Sequence, residues 1–564
     1  MAETPLLECI PNFSEGRDPA AIRRLTEAIE SVEEVALLDV DPGRGTNRTV
    51  ITFVGPPDAV VEAAVRAGRA AAEAIDMRGH RGEHPRFGAM DVCPLVPVAG
   101  ITMDQTVAHA HRLARRLADE VGLTVYCYGR AALHPDRRDL AAVRAGEYEG
   151  LEARLADPGW APDFGPAAFN ARSGATAVGA RDFLVAYNVN LNTTSSRRAN
   201  SVAFDVRERG RALRRGDPLT GEVIRDPNGN PLWEPGTLPA VKAIGWYLEE
   251  FGIAQVSMNL TDISVTPIHL AFEEVCEKAA ARGMRVTGSE IVGLVPLRAM
   301  LDAGRHFLSK QKRSLGVPDE EIVRLAARSL GLDDLKPFDP HQKIIEWRLK
   351  EAAKPRLMDA TLAGFVHRVA ADSPAPGGGS VAALAGALGA ALGTMVANLS
   401  AHKRGWDHRW EEFSAWAVRG KDCHESLLRL VDEDTAAFDA LLAAFRLPPE
   451  QAGRAEAIEA ATRHAIEVPV RVMETALEAL EVVQAMAADG LRSSVSDAGV
   501  GALLATAAVR GAHLNVRINA AGLFDPDARR AFLERGAALG ARAQALEAGI
   551  LAAVDERLAD EAAD

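Results

Sequence analysis

Between residues 5 and 130, short apolar runs alternate with segments whose apolar residues recur every three to four positions. The pattern predicts a strand at Leu6–Ile10, a helix at Ala20–Ser31, strands at Val35–Val40 and Arg48–Val54, a helix at Asp58–Ile75 and a strand at Val92–Val98. A helix at Met103–Glu120 and a strand at Thr124–Tyr128 follow. The first six elements read β-α-β-β-α-β, the split order of a ferredoxin-like subdomain. That order returns further along: strand Phe183–Leu191, helix Ser196–Leu213, strands Val241–Tyr247 and Ala254–Asn259, helix Ile268–Arg282 and strand Arg285–Val295. Two α/β subdomains of like topology are therefore expected, joined across Trp160–Gly179, with a ligand at their interface.

Beyond this repeat the periodicity changes. Residues 335–356 are charged, contain Pro337, Pro340 and Pro355, and read as a linker with a short helix. From Asp359 the strand signal is lost, and helical patterns run through 359–370, 379–400, 408–445, 450–488, 496–521 and 525–560. The expected architecture is multi-domain: two ferredoxin-like (βαββαβ) subdomains at 1–178 and 179–333, a linker at 334–357, and an all-α bundle at 358–564. Val381–Leu399 carries no charge and imitates a membrane span, but it is almost all Ala, Gly and Leu between hydrophilic helices, which favours the centre of a bundle. An insert at Gly216–Gly236 is rich in Pro, Gly and Asp; its core, Asp226-Pro-Asn-Gly-Asn-Pro231, signals a hairpin turn. It reads equally as a lid or as an unstructured surface loop.

Composition narrows the function classes. The chain has 564 residues, 48% hydrophobic and 25% charged, as expected of a globular protein of several domains. A net charge of −14 argues against a nucleic-acid partner, so a small anionic substrate needs local basic patches. Five widely spaced cysteines give neither a disulfide framework nor a metal pair. The opening MAETPLLECIPNF has no basic segment followed by a long apolar core, so no signal peptide is expected. Together these predict a cytoplasmic protein with no membrane partner.

Candidate chemistry concentrates in HRGEHPRFGAMDVCP, residues 80–94. Gly82, Pro85 and Gly88 make this a loop feeding a strand, and its imidazoles and arginines suit acid–base chemistry on an anionic substrate. His80 and His84 fit the H-x-x-E-H zinc pattern, but that pattern needs a helix, which Gly82 and Pro85 oppose, so no metal is expected. Arg48, Arg81 and Arg86 either bind substrate carboxylates in bidentate fashion or close salt bridges within the protein.

In the helical region Ser373-Pro-Ala-Pro-Gly-Gly-Gly-Ser380 leads into the uncharged helix. Gly377, Gly378, Gly379 and Ser380 either bring backbone N–H groups to a ligand at a helix N-terminus or make a tight turn. The spacing is not that of a nucleotide-phosphate loop, and no lysine follows the glycines. Asp434 shares the apolar stripe formed by Leu427, Leu430, Phe438 and Leu441; facing the core, it is either paired or raised in pKa into the range of a general acid. Asp432, roughly 200° away round the helix, is assigned to the wet side. Ser496 or Asp497 is expected to cap a helix beginning at Ala498, or to line a site.

Cys9-Ile-Pro-Asn-Phe-Ser-Glu-Gly16, Leu38-Asp-Val-Asp41, Thr46-Asn-Arg-Thr49, Gly82-Glu-His-Pro-Arg86 and Trp160-Ala-Pro-Asp-Phe-Gly165 resemble the glutamate formimidoyltransferases. Ser373–Ser380 and Val431-Asp-Glu-Asp434 resemble the formimidoyltetrahydrofolate cyclodeaminases, and the order is that of the fused bifunctional family. The resemblance implies transfer of a formimidoyl group from N-formimidoyl-L-glutamate to tetrahydrofolate, with or without a polyglutamate tail, and then ring closure with loss of ammonia. It implies His84 as the base of the first step and Asp434 as the catalytic residue of the second. Folate contact is implied for Gly165, Pro166, Ala167, Ala168, Phe169, Asn170, Ala171, Arg172, Ser173 and Gly174, and substrate binding for Asp41, Arg48 and Arg86. It also implies a homo-oligomer. The insert Gly216–Gly236 is longer than in the animal enzymes and leaves the pocket shape open. N-formimidoylglycine as donor, or a folate-binding scaffold with one inactive domain, remain alternatives.

Overall fold

The computed structural model describes residues 5–43, 47–81, 85–216, 220–352 and 356–563. They form two compact units, residues 1–300 with 330–352, and residues 301–329 with 353–564.

The first unit opens with β1 (Leu6–Cys9) and β2 (Asn12–Phe13), one run interrupted at Ile10-Pro11. It continues through α1 (Pro19–Glu30), β3 (Ala36–Gly43), β4 (Arg48–Gly55), α2 (Pro57–Ala74), β5 (Met90–Ala99), α3 (Met103–Val121) and β6 (Thr124–Gly129). The short helices α4 (Leu140–Val143) and α5 (Glu147–Leu155) precede β7 (Ala175–Ala180). Antiparallel pairing in the order β3, β4, β1/β2, β5 is the ferredoxin-like arrangement expected from the sequence. The sheet then grows: β7 joins β5 in parallel, and β6 joins β7. All of β7 but Ala180 lies inside the segment expected to be a mere connection. Its residues ATAVGA are all buried, but they are mostly Ala and Gly, which strands disfavour, so the pattern was weak. Leu7, Cys9, Ile51, Phe53, Cys93 and Leu95 face the helices and pack on Leu25, Ile29, Val61, Val65, Leu113 and Leu117.

The second subdomain comprises β8 (Val185–Leu191), α6 (Ser196–Val206), four two-residue strands β9 (Arg211–Ala212), β10 (Arg214–Arg215), β11 (Glu222–Val223) and β12 (Trp233–Glu234), then β13 (Val241–Leu248), β14 (Ile253–Leu260), α7 (Ile268–Ala280) and β15 (Val286–Val292). Its sheet order β13, β14, β8, β15 repeats the first. α6 ends at Val206 and not at Leu213, because Gly210 turns the chain at φ 68° and Arg211–Ala212 pair with Trp233–Glu234. Within the insert, Asp226 closes the expected turn by accepting from the backbone N–H groups of Asn228 and Asn230 at 2.9 and 2.8 Å.

Helices α8 (Leu297–Lys310) and α9 (Asp319–Leu330) follow, then α10 (Pro340–Lys343) and α11 (Ile345–Ala352). Residues 301–329, grouped by sequence with the second subdomain, cluster instead with the helical unit. The hydrogen bonds explain this: the Ser314 N–H donates to His402 Nε2 at 3.0 Å, the Leu315 N–H to Ser414 Oγ at 3.0 Å, and Lys421 pairs with Asp319. Within the stretch expected to be linker, Ile344 and Ile345 are buried in the first unit, and Ile344 bridges to Val295.

The helical unit adds α12 (Leu362–Val369), α13 (Gly378–Ala401), α14 (Trp410–Phe445), α15 (Arg454–Asp489), α16 (Val495–Ala520) and α17 (Pro526–Ala563). α13 packs against α14, α15 and α16, the central position expected for the uncharged helix. Its small residues permit this: a Cβ added at Gly389 would lie 2.7 Å from the Gly501 carbonyl oxygen. α16 starts at Val495, so Ser496 and Asp497 sit inside its first turn and neither caps a helix at Ala498.

One core residue is electrostatically costly. Glu8 on β1 is 2% exposed, and its Oε2 is sealed without a partner among the described residues. Burial pushes its carboxyl up to about 7; Arg181 opposes the rise and Glu346 adds to it. The folded state therefore holds a proton that the unfolded chain releases above pH ~4.5, and stability falls as pH climbs from there through 7, by about 3 kcal/mol in all. Glu8→Gln should remove that slope. Its thermal midpoint should gain on the wild type between pH 5 and pH 8; an offset equal at both would show that the wild-type carboxyl is not held neutral.

Candidate active sites

The imidazole-rich loop is anchored by Asn47, which adopts the left-handed conformation at φ 49°. Its Oδ1 accepts from the Gly16 N–H at 3.0 Å, its Nδ2 donates to the Arg81 carbonyl at 3.1 Å, and its own carbonyl lies 2.8 Å from His80 Nε2. On the other side of the His80 ring, Arg86 Nε donates to Nδ1 at 3.2 Å. Nδ1 is thus an acceptor, and the ring proton sits on Nε2, facing the Asn47 carbonyl. Burial lowers the His80 pKa despite the Asn47 bond, so the ring is neutral. Both nitrogens are occupied, which leaves His80 unable to ligate a metal or take a proton. His84, expected as the base, lies outside the described residues, as do Gly82 and Glu83.

The arginines divide. Arg48 is buried on β4, 2.5 Å from Asp91 and 3.0 Å from Asn12 Oδ1. Arg144 shares Asp91 at 3.0 Å, while the other carboxylate oxygen accepts from the Phe87 N–H at 2.9 Å. Arg86 grips Glu149 in bidentate fashion at 2.8 and 2.7 Å and touches Glu147 at 3.2 Å, which holds the Glu149 carboxyl down to about 2. Of the two readings left open, the structure shows internal salt bridges at Arg48 and Arg86. Arg81 is exposed, with one donor on the His80 carbonyl at 2.7 Å. Asp41 is exposed on β3, two residues before Gly43, the cross-strand partner of Arg48.

Gly165–Gly174 runs along the N-terminal ends of β6, β7 and β5. The Pro166 carbonyl accepts from Thr124 Oγ1 at 2.7 Å, the Arg172 carbonyl from the Met77 N–H at 2.9 Å, and Gly174 bridges to Gly88. Gly165, Pro166, Ala167 and Ala168 are exposed; Phe169 and Ala171 are half-buried, the former with its ring 5.6 Å from Tyr148. Asn170 folds back, its Oδ1 accepting from the Arg172 and Ser173 N–H groups at 3.0 and 3.1 Å. The structure thus brings His80, Arg81, Arg86 and the end of this segment into one neighbourhood. Asp91, Asn47, Glu147 and Glu149 complete it; Asn47 and Asp91 lie in stretches the sequence singles out but carry no role there, and Glu147 and Glu149 lie outside them. A charge inside the apolar run MDVCP was the one available signal, at Asp91.

The second candidate lies at the start of α13. Gly377 is the N-cap residue, and Gly379 and Ser380 are buried in the first turn. The Ser380 hydroxyl is 3.0 Å from Asp434 Oδ2, 3.0 Å from the Val431 carbonyl and 3.1 Å from Thr435 Oγ1. Ser380 is fully buried, and its hydroxyl holds Asp434. A Cβ at Gly379 would fall 2.1 Å from Asp434 Oδ1, so only glycine lets the carboxyl approach this closely. The Asp434 pKa is raised: burial wins over the Ser380 side-chain and backbone hydrogen bonds. Up to Asp434 the apolar stripe faces the core, with Leu427 and Leu430 buried. Beyond Asp434 the stripe emerges from the core, and Phe438 and Leu441 are only half-buried. Asp432, expected on the wet side, is instead half-buried, and its carboxylate accepts from the Leu357 N–H at 2.6 Å.

A two-lobed α/β unit with a loop of imidazole and guanidinium groups, joined in sequence to a bundle with a raised carboxyl at a glycine-rich helix start, defines a two-centred enzyme. Family models described as "Formiminotransferase domain, N-terminal subdomain", "Formiminotransferase domain" and "Formiminotransferase-cyclodeaminase" match residues 6–181, 186–350 and 361–537. The formimidoyltransferase-cyclodeaminase of Rattus norvegicus is 43% identical over 525 residues, covering 92% of this chain and 93% of that protein. The glutamate formimidoyltransferase of Thermoplasma acidophilum is 43% identical over 305 residues, 54% of this chain and 92% of its own. The methenyltetrahydrofolate cyclohydrolase of Methylorubrum extorquens is 36% identical over 178 residues, 31% of this chain and 84% of its own. The chain belongs to the formimidoyltransferase-cyclodeaminase family.

Asp91 joins two guanidinium groups from a fully buried position. Asp91→Asn leaves both cations without their counter-charge and should cost about 3–5 kcal/mol in urea unfolding. A loss near zero would show that the pair contributes nothing net.

Proposed function

We propose that the chain catalyses two consecutive one-carbon steps. The first moves a formimidoyl group from N-formimidoyl-L-glutamate to N5 of tetrahydrofolate. In the second, N10 attacks the formimidoyl carbon, the ring closes, and ammonia leaves to give 5,10-methenyltetrahydrofolate. The observation that carries the reading is the raised carboxyl of Asp434, fixed by Ser380 against Gly379 at the start of α13. Ammonia is a poor leaving group until protonated, and an acid that keeps its proton toward neutral pH supplies what is missing. The amides at the start of the helix favour electron-rich atoms beside it.

For the first step the base is His84. The hydrogen bonds on both ring nitrogens of His80 support this, because they engage the other imidazole of the loop. Exposed Arg81 and Asp41 are the groups left to meet substrate, and Gly165–Phe169 supplies the exposed half of the folate segment. The acceptor is tetrahydrofolate with or without a polyglutamate tail, and the chemistry requires no metal.

The chain acts as a homo-oligomer. Supporting this, α13 exposes Val381, Leu388, Met395 and Leu399 along one side, and neighbouring α16 exposes Val500, Leu503, Leu514 and Ile518, each 38% or more. Apolar stripes on adjacent helices suit a second copy. The free cysteines, four buried and one half-buried, are in keeping with a cytoplasmic location.

Two substitutions separate the steps. Asp434→Asn keeps size and hydrogen bonding but cannot donate readily, so ammonia release and methenyl-folate absorbance should be lost while transfer continues. Because Asp432 holds the Leu357 backbone, the control is Asp439→Asn, exposed on the same helix, which should stay active. An active Asp434→Asn would remove the acid assignment. Conversely, His84→Ala should slow transfer by ~10²–10⁴-fold and leave cyclisation of supplied 5-formimidoyltetrahydrofolate intact. Transfer at the wild-type rate would sink the base assignment.

A further inference from the structure

We infer that Asn515 on α16 is a second working group of the ammonia-releasing centre: its side-chain oxygen accepts an N–H of the formimidoyl nitrogen and holds that nitrogen before Asp434 while it leaves. The inference rests on the functional reading above and adds a residue to its second step.

α16 runs beside the start of α13. A Cβ on Gly511 would lie 3.3 Å from that of Ala382, and one turn further along α16 the Asn515 side chain reaches Gly378. Gly378 and Gly379 are consecutive, yet they face different groups. A Cβ on Gly379 would collide with Asp434, whereas one on Gly378 would rest 3.7 Å from Asn515 Nδ2 and 3.9 Å from Oδ1, an ordinary contact. Glycine at 379 is thus imposed by the carboxyl. Glycine at 378 is imposed neither by packing nor by a positive φ, although alanine is the better helix former. What glycine provides there is room between the helix start and the amide. Gly378 is exposed, and Asn515 and Asp434 are half-buried, so that room opens to solvent.

Two asparagines on α16 separate an amide the fold requires from one it does not. Pro469 lies inside α15 and leaves the Ala465 carbonyl without its helical donor; Asn519 Nδ2 replaces that donor at 2.8 Å. Asn515 Nδ2 donates at 3.1 Å to the Gly511 carbonyl, which already has its place in the ladder of α16. That bond decides which end of the amide is nitrogen, and it leaves the oxygen beside the glycine turn. Among the described residues no donor meets Asn515 Oδ1.

The second step needs such an acceptor. N10 bonds to the formimidoyl carbon, and its proton passes to the formimidoyl nitrogen. Asp434 adds a further proton. The C–N bond then breaks with its electron pair on ammonia, and the N5 lone pair closes the methenyl cation. Positive charge grows on the departing nitrogen, which by then carries more N–H groups than one carboxyl can meet. An amide oxygen takes no proton near neutral pH, so it does not compete with Asp434. It accepts a hydrogen bond that tightens as the charge develops. A bond stronger in the transition state than in the bound substrate acts on kcat.

Asn515→Leu in the full chain, supplied with 5-formimidoyltetrahydrofolate, tests this. Leucine keeps the size and removes the acceptor. kcat for ammonia release should fall about ten- to hundredfold with little change in KM, while the thermal midpoint stays at the wild-type value. Asn515→Asp keeps an acceptor but sets a second carboxyl near Asp434. Like charges disfavour ionisation of the pair, so the alkaline limb of its kcat profile should move to higher pH. A residue that only packs α16 against α13 produces neither the kcat–KM split nor that shift. If the wild type releases ammonia and Asn515→Leu matches its kcat, the assignment is wrong and the functional reading stands. A change confined to KM overturns it too. So does an unmoved limb in Asn515→Asp, which carries the test alone should the leucine variant fail to fold. A wild type that releases no ammonia from 5-formimidoyltetrahydrofolate overturns the functional reading and this assignment together.

Discussion

A carboxyl group taken out of water has to be neutralised, paired or left proton-bound, and this constraint organises both halves of the chain. Asp91 is paired: it lies between Arg48 and Arg144 and stays in a fully buried place. Glu8 is left proton-bound, with one oxygen sealed and unpartnered. Asp434 is intermediate, held by a hydroxyl and a backbone N–H but, among the described residues, by no cation, so that it is fixed in position yet still inclined to keep its proton. The three arrangements follow from neighbours alone, since the residue type is nearly the same.

Guanidinium groups show the complementary economy. Arg86 orients His80 through Nε and spends its remaining donors on Glu149 and Glu147. Those donors are thereby engaged within the protein. A loop with several cations therefore presents a smaller charge than its composition suggests, and Arg81 is the exposed guanidinium among those weighed as substrate ligands.

The repeat of βαββαβ, the six C-terminal helices and the position of Asp434 were legible because each rests on periodicity, which survives in one dimension. Elements with small residues are harder: β7 reads as a connection because Ala and Gly mark no face. Partner choice was harder still. Asp432 points to a wet side on a helical wheel, yet a neighbouring turn offers the Leu357 N–H there, and no spacing rule within α14 encodes a chain that arrives from residue 357. For the same reason the salt bridges of Arg48 and Arg86 stayed open until Asp91, Glu147 and Glu149 were placed. The docking of residues 301–329 on the helical unit depends on His402, Ser414 and Lys421, about a hundred residues away.

α13 has one more implication, for how this gene can vary. Its backbone touches its neighbours directly, at Gly389 against Gly501 and at Gly379 against Asp434. The tolerable change at such positions is measured in single methyl groups, not in polarity. Conservative apolar replacements, ordinarily the mildest class, become the harmful ones here: a glycine-to-alanine or alanine-to-valine codon change keeps hydropathy and removes room. Variant-effect scores built on polarity should therefore rank this helix wrongly, and scores built on volume should rank it well.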